Sequence, residues 1–227
     1  KALASRGERR QTYAMQVLRA VLRHHGVNVA DNPLSPTTAG KQRVMLAPSR
    51  GDPRPIPPEA LGAWWRAACK IESPSADMLR FALLVGGRPG EVSALEVGHL
   101  DVAGGRVTMF DTKNRTDHEV LLSRQAAEIA TKAAKGKKKG AKLFGIVDAG
   151  KTLETINKAA GVENVSQHKL RHTFASVAAE LVSVFALKRM LNHAAADDVT
   201  AVHYAHRSAK SLRNAWQTVA DAIESAD

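Results

Sequence analysis

His168-Lys169-Leu170-Arg171-His172-Thr173-Phe174-Ala175 opens a segment whose apolar residues keep helical spacing to about Leu181. A histidine and an arginine three positions apart share one face of such a helix, so His168 and Arg171 can serve the same small group. A His-x-x-Arg pair by itself is common and usually marks a solvated face. Its neighbours along the chain make it informative. Upstream lie Gly86-Gly87-Arg88-Pro89-Gly90-Glu91 and Asp111-Thr112-Lys113-Asn114-Arg115, and downstream lie Leu191-Asn192-His193 and His203-Tyr204-Ala205-His206.

Helices predominate on both sides of that segment. The spacing predicts one over Gln11–His25 with Gly26 as its C-cap, one over Pro58–Lys70, and one capped by Ser75 or Asp77 that carries Leu79, Phe81, Leu83, Leu84 and Val85. Glu91–Val97 continues helically after Pro89. The period then changes: Val102, a Gly104-Gly105 turn, Arg106–Phe110 and His118–Leu122 read as a small antiparallel sheet. Helices resume near Arg124. A lysine-rich loop at Lys135–Lys142 and a short buried piece at Leu143–Val147 follow. Helices over Thr152–Ala160, His168–Leu181, Val184–Asn192 and Ala209–Ile223 complete the chain. Between Val27 and Pro57 six prolines accumulate, the mark of an extended linker. The expected fold is therefore α+β, mainly α-helical, with a small antiparallel sheet in residues 51–227 and a helical segment plus linker in 1–50.

Lys+Arg 33 against Asp+Glu 22 leaves a net charge of +11 and a pI near 10.0, which favours a polyanionic partner. The single cysteine, Cys69, rules out an intrachain disulfide and any multi-cysteine zinc site, and fits a reducing compartment. It lies in an apolar helical run, where packing is its expected role. No apolar run approaches the roughly 20 residues that span a bilayer. Lys1 in place of a methionine suggests a piece of something longer.

The order Arg88, Lys113, His168-x-x-Arg171, His193, Tyr204 resembles the catalytic signature of the tyrosine recombinases, the phage integrase family. The resemblance runs over roughly Ile56–Ala226. It implies an integrase-type catalytic domain preceded by the remnant of a helical core-binding domain. Tyr204 would attack a DNA phosphodiester, leaving a 3′-phosphotyrosyl link and a free 5′ hydroxyl, with no metal and no cofactor. The chemistry suits the residue types. Tyrosine, with a reference pKa of about 10, is a poor nucleophile at neutral pH unless cations surround the phosphate and a group accepts its proton. Arginines offer planar bidentate donors to nonbridging oxygens. A lysine can protonate the leaving oxygen.

By the same resemblance Glu91 would orient Arg88, Lys113 would be the general acid on a hairpin, and His193 would bond a phosphoryl oxygen or orient Tyr204. Three departures from the family pattern stand out. Lys169 replaces a usual aspartate, Leu191-Asn192-His193 replaces Leu-Gly-His, and the 204 − 193 = 11 positions from His193 to Tyr204 are slightly long. Arg115, Lys137, Lys138, Lys139 and Lys169 are candidate contacts to the DNA backbone. The implied partners are double-stranded DNA and a homotetramer assembled on it. The stripe Leu212, Trp216, Val219, Ile223 of the last helix is a candidate docking face, with packing inside its own domain equally open. The implied setting is a prokaryotic cytoplasm, on nucleoid DNA, with no membrane. A type IB-like topoisomerase, or an accessory DNA-binding protein without activity, remain the alternatives.

Overall fold

The computed structural model describes residues 8–26, 54–112, 116–146, 148–192 and 209–227. The chain divides into two units, Lys1–Asp52 and Pro53–Asp227. The first contributes one described helix, α1 (Glu8–His24), closed by Gly26 in the left-handed conformation at φ 66°. Its Tyr13, Val17, Leu18 and Val21 are exposed. Most of the expected linker lies outside the described residues. Its end does not behave as a tether: Ile56 is buried, and its N–H donates to Thr173 Oγ1 at 2.9 Å.

In the second unit α2 (Pro58–Cys69) starts on Pro58, whose fixed φ suits the first helical turn. Leu61, Trp64, Trp65 and Ala68 form its buried stripe. Cys69 falls off that stripe and is exposed, so the expectation of a packed thiol does not hold. Helix α3 (Pro74–Val85) is capped by Ser73, whose Oγ accepts from the Ala76 N–H at 3.2 Å, not by Ser75 or Asp77. Pro74 decides this: it takes the first helical position and leaves Ser73 extended before it. Asp77 is instead buried, paired with Arg80 and 3.7 Å from Lys132 Nζ.

Nine of the twelve α3 residues are buried, which makes it the central helix. It packs on α2, on α5 (Arg124–Ala134) and on α7 (Gln167–Leu181). Trp64, Phe81, Leu83, Leu84, Phe174 and Trp216 are among the fully buried side chains around it.

After α3 the chain turns into a short α4 (Pro89–Ala94) and a 3₁₀ turn at Val97–His99, rather than one helix to Val97. Leu95 leaves the helix at ψ 136° to enter the core, and Glu96 bridges to Lys142. The sheet has the order β1 (Leu100–Asp101), β2 (Arg106–Met109), β3 (His118–Leu121), all antiparallel. Val107 faces Val120 and Met109 faces His118 on the buried side. Val102 lies in the turn, exposed, because Asp101 accepts the Gly104 N–H at 2.8 Å and ends the first strand early.

Helices α6 (Gly150–Ala159), α8 (Val184–Met190) and α9 (Ala209–Glu224) complete the unit. Helix α8 stops short of Asn192, which takes a left-handed φ of 47°. The α9 stripe Leu212, Trp216, Val219, Ile223 is buried within its own domain, against α7, α2 and α3. Of the two readings left open for this stripe, packing inside its own domain is the one observed, and its apolar area is out of water. Polar bonds reinforce the seat: Gln125 Nε2 donates to Asp221 and Glu224, each at 2.8 Å.

Gly86 closes α3 at φ 65°, and a Cβ there would collide with the Phe174 ring. Gly86→Ala combines a left-handed alanine with overpacking, so unfolding in urea should show a loss of about 2–4 kcal/mol. Gly90→Ala, which meets nothing within 4 Å and has no positive φ, should change stability by less than about 1 kcal/mol.

Candidate active site

Gly86 and Gly87 let the backbone double back at the end of α3. A Cβ on Gly87 would lie 2.7 Å from Val92 Cγ2. Arg88 then stands extended as the N-cap of α4, with Pro89 in the first helical position. Three residues on, Glu91 does two jobs. Its Oε2 accepts the Arg88 backbone N–H at 3.2 Å and its Oε1 accepts Arg88 Nη1 at 2.7 Å. The arginine and the carboxylate are both largely buried, at 20% and 10% side-chain exposure, so this pair is held more firmly than a surface ion pair.

Arg171 projects from α7 into the same region and is 7% exposed. Its Nη1 donates to the Gly86 carbonyl at 2.7 Å and its Nη2 to the Leu191 carbonyl at 2.5 Å. Burial first, and then the nearby Arg88, push its pKa down to about 10, while Glu91 opposes the shift. The group stays charged at neutral pH. A guanidinium has five N–H donors, so three of Arg171's remain without a partner among the described residues. Two cations stand near enough to repel each other, and one of them has donors to spare.

His168 lies one turn earlier on α7 and is exposed, its ring 5.1 Å from that of His172 in an edge-to-face arrangement. It borders an open cleft of about 1210 Å³ together with Pro89 and Gly90 of α4 and the loop from Gly161 to Gln167. His168 and the start of the Arg88 helix thus share one concavity. Lys113, Arg115, His193 and Tyr204 lie outside the described residues.

Of the candidate backbone contacts, Lys137, Lys138 and Lys139 are exposed, while Lys169 is half-buried. Lys137 Nζ donates to the Leu143 carbonyl at 2.6 Å, so its ammonium already has a partner within the domain. Among the described residues no group of three or more His, Cys, Asp or Glu side chains could hold a metal ion, and no helix is long and apolar enough to cross a membrane.

Sequence reasoning missed His118. It sits on the buried face of β3, 7% exposed, with Nε2 3.2 Å from the Arg189 carbonyl at the end of α8. A carbonyl only accepts, so Nε2 carries the proton. Burial holds its pKa down at about 4, against that hydrogen bond, and the charges of Glu91, Arg171 and Arg88 all act on it. One signal was available in the sequence: a histidine in phase with Val120 on a strand otherwise apolar on that side.

Because the folded pKa lies below the ordinary 6.5, the unfolded chain takes up a proton that the folded one refuses. Stability from this group is complete above pH 6.5 and is lost as pH falls toward 4. His118→Gln keeps a donor for Arg189 without the titration. From pH 7.5 to 4.5 its urea-unfolding stability should therefore fall by about 2–3 kcal/mol less than that of the parent chain.

Residues 63–211 match the phage integrase family. The tyrosine recombinase XerA of Saccharolobus solfataricus is 28% identical over 142 residues, covering 61% of this chain and 48% of that protein. This chain thus spans about half the length of that relative. Among solved structures, the integrase of mycobacterium phage Brujita aligns with a TM-score of 0.53 at 22% identity, over 95% of this chain and 70% of that one. A crystal structure of XerA recombinase aligns at 0.52 and 18% identity, over 90% and 73%. The integrase of transposon Tn1549, solved in complex with circular intermediate DNA, aligns at 0.52 and 15% identity, over 73% and 65%. These structures share the fold, and the family match extends over well more than half of the sequence: the chain belongs to the phage integrase family.

Proposed function

We propose that this chain is a site-specific DNA recombinase that cuts and rejoins strands through a 3′-phosphotyrosine. Residues 51–227 would be the catalytic domain, and 1–50 the remnant of a core-binding domain with its linker. The observation that carries the proposal is the buried Arg171, bonded only to carbonyls among the described residues and set beside Arg88. Such a pair suits the nonbridging oxygens of one phosphate. Charge-assisted bonds that strengthen as the transition state gains charge supply several kcal/mol of barrier lowering. The guanidinium groups do the neutralising, so the reaction needs no metal ion.

In the forward step the Tyr204 oxygen bonds to phosphorus while the bond to the 5′ oxygen breaks. The phenol proton passes to an acceptor, for which His168 at the mouth of the cleft is the described candidate. Lys113 protonates the departing 5′ oxygen, and His193 bonds a nonbridging oxygen. Attack by the 5′ hydroxyl of a second strand reverses these transfers and reseals the backbone. The partner would be double-stranded DNA in a prokaryotic cytoplasm, held by a homotetramer. Its contacts would fall on surfaces other than the α9 stripe, which is occupied at home. Family membership favours this reading over a topoisomerase or an inactive accessory factor.

The reading is tested by incubating the protein with a pool of nicked suicide duplexes of randomised sequence. A covalent adduct should form and map to Tyr204, and Tyr204→Phe should yield none. Adduct on another residue, or on the phenylalanine variant, would sink it. Arg171→Ala should slow adduct formation on the order of a hundredfold or more, and Arg171→Lys should recover little, because a lysine cannot replace the planar fork. Replacing Lys137, Lys138 and Lys139 together with alanine should lower the slope of log affinity against log salt by about two, since the Lys137 head is partly committed.

A further inference from the structure

Thr112 directly precedes Lys113 in the chain, and Asn192 directly precedes His193. These two touch. Asn192 Nδ2 donates to Thr112 Oγ1 at 2.9 Å, across eighty positions of sequence. Thr112 is 2% exposed, and its hydroxyl is already committed as a donor to the Thr116 carbonyl at 2.8 Å. With that proton spent, Oγ1 can only accept, so the Asn192 side chain must present its amide nitrogen. The Thr112 N–H donates to the same Thr116 oxygen at 3.2 Å. The two arms of the hairpin are therefore pinned at Thr112 and Thr116, and the pin is tied to the end of α8.

Asn192 reaches this position through a left-handed backbone, at φ 47°. Glycine takes that conformation with the least strain, and asparagine tolerates it better than most other residues. What asparagine adds is the amide that meets Thr112. Two further bonds hold the same end of α8: Arg171 Nη2 to the Leu191 carbonyl, and His118 Nε2 to the Arg189 carbonyl. Both hairpin strands thus grip the α8 terminus, one through Thr112 and the other through His118.

We propose that Asn192 and Thr112 are a positioning pair. Their hydrogen bond holds the hairpin arm leading into Lys113 against the end of α8, so that the approach to the general acid starts from a fixed point close to Arg171. The inference rests on the recombinase reading above, in which Lys113 protonates the leaving oxygen. Neither Asn192 nor Thr112 touches DNA in this account.

The test compares cleavage rates on nicked suicide duplexes having either oxygen or sulfur at the bridging 5′ position. A thiolate leaves without protonation, so sulfur removes the need for a correctly placed acid. Asn192→Gly and Thr112→Val should each slow cleavage of the oxygen substrate on the order of tenfold or more, as small misplacements of catalytic groups do. The double variant should be slower than the parent chain by clearly less than the product of the two single losses, because the Asn192–Thr112 bond is lost in each. Thr112→Ser should recover the rate. Asn192→Asp should be slower than Asn192→Gly, since a carboxylate set against an oxygen that cannot donate repels it.

On the sulfur substrate the losses of the glycine and valine variants should shrink to about twofold, alongside that of Lys113→Ala. Oxygen-substrate rates matching the parent chain would overturn the pair, as would multiplying losses in the double variant. Undiminished losses on sulfur, while Lys113→Ala is rescued, would also overturn it. Failure to rescue Lys113→Ala would instead overturn the general-acid reading and leave the pair to be judged by its coupling in the double variant. Urea midpoints show which variants fold; should Thr112→Val not, the two Asn192 variants decide.

Discussion

A buried guanidinium bonded to two backbone carbonyls organises this domain. Arg171 leaves α7 in the middle of the core side and finds Gly86 at the end of α3 and Leu191 at the end of α8. A charge at that depth is costly unless its donors are met, and removing a partner would leave it stranded. The two helix ends are thereby drawn to one point by the requirement to satisfy a single side chain. The choice of carbonyls matters as much as their position. A carboxylate would have neutralised Arg171, whereas peptide oxygens orient it and leave its charge available.

Arg88 arrives by a different route. Two glycines reverse the chain after α3, Pro89 starts a new helix, and Glu91 closes on Arg88 through both its backbone N–H and its side chain. The carboxylate is used up in aiming one arginine, and only its field reaches the other. The result is two guanidinium groups held close enough to repel each other, a repulsion that an anion between them would relieve. His118 remains neutral within that field because burial outweighs the hydrogen bond and the carboxylate that would protonate it. It can therefore brace α8 without adding a third positive charge.

Helix α3 carries the structural load behind this. Buried nearly all round, it positions Gly86 against Phe174, and that contact locks the α3 terminus to α7 only three residues from Arg171. Helix α9 seals the far side with its apolar stripe and a polar lattice of Gln125, Gln217, Asp221 and Glu224. An amphipathic helix of sixteen residues is marginal alone, so it buries its stripe on the nearest apolar surface, which here belongs to its own chain.

Most helices were legible in the sequence because apolar spacing, prolines at helix starts and glycines at helix ends are local signals. The pairing of Arg88 with Glu91 was legible through residue type and spacing. Where reading failed, two local signals competed or the deciding partner was distant. Ser75 and Asp77 resembled caps until Pro74 placed the start at Ser73. Cys69 followed an apolar run yet lay one step off its stripe. Ile56 sat among prolines but pairs with Thr173, 117 positions away. His118 carried no motif, and Thr112 and Asn192 stood in their motifs only as neighbours of Lys113 and His193; each acquires meaning from an atom on another element.

The amino-acid order by itself therefore determined most of the helices and the inventory of reactive groups. Tertiary structure alone decided which of those groups face one another, which charge is left unsatisfied, and what covers the α9 stripe. The physical reason is that helix periodicity and capping act within a few residues. Burial of Arg171, and the long-range bonds that hold it, arise only when α3, α7 and α8 are packed around the same point.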